Sequence, residues 1–139
     1  MSVDLLRRAA AKLREHAEAV GASDTFTKDV PWEVEEDDDR DATLYVVANL
    51  TEFSTSYIGE GFLSRAHADF VALMHPPVAL ALAEWLEAQA ADVENAVAAW
   101  SRDTGYIDKH LGGVEAHTGN MFRPSIAAAR AILREPEVA

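Results

Sequence analysis

The spacing of apolar residues changes period twice along this chain, and that change limits the fold more than any other feature. From Leu6 through Ala10, Leu13, Ala17 and Val20 the apolar positions recur at intervals of four and three. That is the stripe of a helix buried along one face. Ser2 is suited to the N-cap, Asp4 to the positive end of the helix dipole and Gly21 to the stop, which predicts a helix over residues 2–20. Between Val30 and Glu36 the period shortens to two, with Trp32 and Val34 alternating with charge as in a half-buried strand. Thr43 to Leu50 (T-L-Y-V-V-A-N-L) reads as a second strand, and Phe53 to Ile58 as a third that ends at Gly59 and Gly61. Three such strands in succession over residues 30–60 predict a small antiparallel meander that needs helices on one face.

The helical period returns after Ser64, which can cap a helix running to Met74 and burying Ala68, Phe70 or Val71, and Met74. His75-Pro76-Pro77 ends it, because a residue before proline is pushed out of the α region. Proline is tolerated in a first turn, so a long helix is predicted from Pro77 to Ser101. Its inward face would carry Val78, Leu82, Trp85, Leu86, Gln89, Val93, Val97 and Trp100. Such a helix is about 37 Å long, close to the width of a domain of this size. Its far end either crosses the domain or needs a partner. Trp100 is therefore placed evenly between a contact with the last helix and, with Val97 and Val93, a homodimer interface. Asp103 to Phe122, with Gly105, Gly112, Gly113 and Gly119, reads as irregular. Pro124 then starts a last helix through Ile126 and Ile132 to Arg134. The expectation is a single α+β domain spanning residues 1–139.

Composition narrows the chemistry. The chain has no cysteine, which removes disulfides, thiolate nucleophiles and cysteine-based metal sites together and suits a cytoplasmic setting. No signal-peptide order is present at the N-terminus, and the apolar stretch Phe70–Leu86 is interrupted by His75, Pro76, Pro77 and Glu84. No membrane association is expected. G-x-S-x-G, the Walker loop and G-x-G-x-x-G are all missing. Neither an enzyme nor a cofactor is therefore expected.

Net charge is −12, from 24 acidic residues against 12 Lys and Arg. Direct nucleic-acid binding is not expected, since it rests on cationic neutralisation of phosphates. Half of the excess lies in nine residues. Glu33, Glu35, Glu36, Asp37, Asp38, Asp39 and Asp41 are accompanied only by Arg40, a net of −6. Asp37, Asp39 and Asp41 alternate like the first ligands of a calcium loop, but Ala42 and Ala48 stand where that loop needs glycine and a bidentate glutamate. Two readings remain: a solvated hairpin turn, or a surface that imitates a row of phosphates and engages a basic partner. A separate possibility is a metal-dependent enzyme or metal-binding module using His110, His117 and Asp108, although their spacing matches no metal motif.

The segment Ala68–Leu86 (A-D-F-V-A-L-M-H-P-P-V-A-L-A-L-A-E-W-L), with Pro31-Trp32 upstream, resembles a stretch of small phage and prophage proteins of the Ead-like type and their relatives in high-GC Gram-positive bacteria. The resemblance covers about residues 25–90. It implies an accessory, non-essential phage or prophage role, in some relatives with self-association through helices, and brings no catalytic residues to map. Relatives place cysteines after the long helix, suggesting a metal knuckle, where this chain has only His110 and His117. The expectation is thus an interaction protein, homodimeric, that meets a basic host or phage protein through its acidic hairpin.

Overall fold

The computed structural model describes residues 2–23, 30–36, 44–51, 54–60, 62, 64–102 and 104–136. It is an α+β chain. Helix α1 (Ser2–Ser23) precedes strands β1 (Trp32–Glu36), β2 (Leu44–Thr51) and β3 (Ser54–Glu60). Helices α2 (Arg65–Leu73), α3 (Pro76–Trp100), α4 (Thr104–His110), α5 (Val114–Met121) and α6 (Arg123–Leu133) follow. Two compact units divide it, one made of Met1–Arg14 with Ala81–Ala139 and the other of Glu15–Leu80. Helices α1 and α3 contribute residues to both.

In the contiguous unit the strands form an antiparallel sheet in the order β1-β2-β3. Trp32 lies opposite Ala48, Val34 opposite Val46, and Glu33 and Glu35 opposite Val47 and Tyr45. Between β2 and β3 the register shifts at Val46/Val47, so that Val46 faces Gly59 while Val47 faces Tyr57. The extra residue on β3, Ile58, joins the apolar cluster of Val46, Ala68 and Ala72 together with Trp32, Val34, Phe62 and Val71. Gly59 therefore lies within β3 rather than at its end. A Cβ there would stand 3.1 Å from Cζ of Phe62, so the glycine is where the aromatic ring closes on the backbone.

Helix α2 begins as its sequence implies. Ser64 is extended (φ −156, ψ 165) and its hydroxyl accepts the His67 amide at 3.3 Å. Ala68 and Ala72 face the sheet, and Phe70 is 65% exposed. At α3 the carbonyl of His75 receives the Val78 amide at 3.0 Å. Pro76 and Pro77 fill first-turn positions that need no amide partner.

The second unit packs α1, α3 and α6 together. Leu5, Leu6, Ala9 and Ala10 meet Ala83, Leu86, Ala90 and Val93, with Ile126 and Ala129 completing the core. Half of that core is alanine, and short side chains let helix backbones approach closely. Arginines of α1 tie its rim: Arg7 to Glu94 at 2.8 Å, Arg14 to Glu87 at 2.7 Å, Arg8 to Glu135 at 2.7 Å and to Asp4 at 3.0 Å. The hydrogen bond to Glu135 holds the Arg8 guanidinium above its ordinary range, against desolvation, which lowers it.

One expectation is corrected outright. Residues 103–122 are not an irregular segment but hold two short helices, α4 and α5. The glycines are confined to where the backbone needs them: Gly112 and Gly113 take φ of 76 and 98 between the helices. The Gly113 amide reaches back to the Ile107 carbonyl at 3.2 Å. Gly105 and Gly119 sit inside the helices, where glycine lowers helix propensity without forbidding it.

A candidate acidic docking surface

Alternation along β1 sorts its side chains. Trp32 and Val34 turn to the side covered by α2 and pack on its cluster, while Glu33 and Glu35 stand exposed on the other face. Glu36, at the strand end, is exposed as well. Glu33 is held in place by Asn49, whose side-chain amide donates to its carboxylate at 2.9 Å. Among the described residues none of these three glutamates forms an ion pair. In the helical unit Asp4, Glu87, Glu94 and Glu135 each meet an arginine, while the exposed Glu84, Asp92, Asp108 and Glu115 form no described ion pair. Asp37, Asp38, Asp39 and Asp41, which continue the run, lie outside the described residues.

Beside β1, against α2, runs a shallow groove of about 530 Å³. Val34, Ala72 and Leu73 give it an apolar lining, and Glu33, Asp69 and His75 contribute polar groups. Arg65 also lines it and is paired with Asp69 at 3.2 Å. Leu73 is 62% exposed and Phe70 lies three residues before it on the same helix. Sequence reasoning did not find this groove. The signal was there in the phase of α2: with Ala68 and Ala72 turned to the sheet, Phe70 cannot follow them.

The other candidate residues are placed differently. Val93 is 1% exposed within the core of its own chain, and Val97 packs against that core. The ring of Trp100 tilts against His117 of α5, with centroids 4.4 Å apart. All three make contacts within the chain, Val93 as a main apolar anchor of the helix packing between its alanine neighbours. His110 rests on Tyr106, with centroids 4.7 Å apart. Among the described residues no three His, Asp or Glu side chains stand close enough to hold a metal ion, so His110, His117 and Asp108 are not brought together as ligands. Ring contacts occupy both histidines instead. No single described helix is long and apolar enough to cross a membrane.

Comparison of the chain with protein-family models, with curated proteins and with solved structures finds no match.

Proposed function

We propose that this chain is a non-enzymatic interaction protein, an accessory protein of phage or prophage kind, whose β1 surface engages a basic partner. One observation carries the reading: a five-residue strand bears three exposed glutamates with no described cation beside them. Within β1 the three lie within four positions of one another, and among the described residues none meets a cation. Like charges this close on a short strand repel one another, and a cationic partner relieves that repulsion. The four aspartates that follow in sequence extend the same charge. The accessory role rests on the resemblance of Ala68–Leu86 to small phage and prophage proteins, and a cytoplasmic setting suits a chain without cysteine.

The test uses poly-lysine as probe, followed by anisotropy at low and at physiological salt. Replacing Glu33, Glu35 and Glu36 by Gln should weaken binding by about tenfold at low salt, on the order of half a kcal/mol for each exposed charge. It should also flatten the salt dependence, as screening then has less to remove. Affinity equal to that of the unaltered chain would remove β1 from the interaction.

A further inference from the structure

The β1 surface has a second property besides charge: among the described strands it is a sheet edge, hydrogen-bonded to β2 alone. An edge strand turns alternate main-chain N–H and C=O groups outward, ready to pair with another extended chain. Its length, five residues, offers about 16 Å of ladder. Alongside lies the groove against α2, so an added strand would have the helix on one side and the exposed Glu33 and Glu35 on the other.

We infer that the partner segment is an extended stretch of alternating basic and apolar residues, bound as a fourth strand on the edge of β1. The inference rests on the proposed function and specifies how that surface is used. An added strand continues the sheet, so its side chains alternate between the two faces. Those on the α2 face meet Val34, Ala72 and the exposed Leu73. Those on the opposite face flank Glu33 and Glu35. Apolar groups suit the first row and lysine or arginine the second. Main-chain pairing supplies affinity that depends little on sequence, and the two rows set the choice of partner.

Charge also decides against a second copy of this chain as the occupant. Two β1 edges laid antiparallel about Val34 set Glu33 of each copy against Glu35 of the other, and like charges across a ladder destabilise it. The acidic edge thus discourages self-pairing while admitting a basic strand, as native sheet edges commonly do.

The experiment uses the full chain and a labelled peptide of about eight residues alternating Lys and Val, long enough to cover the edge. Three companions are made: one N-methylated at every Val, one N-methylated at every Lys, and an isomer with all Lys before all Val. The alternating peptide should bind saturably. One N-methylated form should lose about tenfold or more in affinity while the other keeps it, because only alternate amides face β1. The segregated isomer should bind more weakly than the alternating peptide. Leu73→Gln, at an exposed site that does not hold the fold, should weaken the alternating peptide and leave poly-lysine unaffected.

Equal affinity of both N-methylated forms with the parent overturns strand addition. So does the lack of saturable binding up to about 1 mM, near the floor of specific recognition. If poly-lysine binding still falls on Glu33→Gln, Glu35→Gln and Glu36→Gln, the charged surface stands and only its mode of use is lost. If poly-lysine is indifferent as well, both readings fall.

Discussion

Arg134 is the described non-glycine residue with a positive φ, 57. It closes α6 in a left-handed turn in which its own amide bonds to Ala131 at 3.2 Å and that of Glu135 to Arg130 at 3.0 Å. This turn directs the Glu135 carboxylate to Arg8, 127 positions away in sequence. The Arg134 side chain is exposed and makes no described bond, so nothing in its contacts repays the strain of an L-residue in that region. Arg134→Gly should therefore stabilise the fold by about 0.5–1 kcal/mol, read as a higher midpoint in chemical unfolding. A loss of stability would mean that the side chain contributes more than its exposure implies. Gly112 and Gly113 show the complementary case, since they occupy positive φ where no side chain has to be accommodated.

At the scale of elements, alanine decides which faces are buried. The core face of α3 runs through Ala83, Leu86, Ala90 and Val93, whereas ranking residues by size alone turns Trp85 inward. Trp85 is 40% exposed. The helices, the strands and the Ser64 cap were legible because period, proline and capping chemistry are local. The choice of Val71 over Phe70 on α2, and of Ala83 and Ala90 over Trp85 on α3, was not, because close helix and sheet packing favours the small residue over the large one, a tertiary preference absent from any window. The segment 103–122 was misread for a related reason: its glycines signalled loop, but only the adjacent pair Gly112 and Gly113 breaks the helix. Of the candidate surface, the charge was legible in full, and the groove beside it depended on the choice between Phe70 and Val71 on α2, which the sequence left open. The same packing gives a prediction. Leu86 is fully buried with alanines for several of its neighbours, and their methyl groups cannot reach into a vacated space. Leu86→Ala should cost about 3–5 kcal/mol, the upper part of the range for such truncations, measured by denaturant unfolding. A cost below about 2 kcal/mol would show that the helices close over the gap.

The whole molecule carries twice as many acidic as basic residues, and its ion pairs are partly exposed on both partners. Exposed pairs contribute about 0–1 kcal/mol each, while repulsion among the excess carboxylates acts over the entire surface. Screening weakens both, and the repulsion outweighs the pairs. Raising salt from about 20 to 300 mM, which shortens the Debye length to less than half, should therefore raise the melting temperature by a few degrees. A fall would show that the arginine bridges of α1 outweigh the net charge.

The division of the chain into units sets an order in time as well as in space. Glu15–Leu80 is one continuous stretch, while the helical unit draws on both Met1–Arg14 and Ala81–Ala139. During synthesis the sheet and α2 have all their own residues before α3 is complete. The apolar stripe of Leu5, Leu6, Ala9 and Ala10 is made well before the residues that complete its core, because Ile126 and Ala129 follow it by more than a hundred positions. Until then the stripe on α1 has at most the α3 residues Ala83, Leu86, Ala90 and Val93 to cover it. That interval, rather than the finished fold, is when this sequence is most exposed to aggregation or to a chaperone.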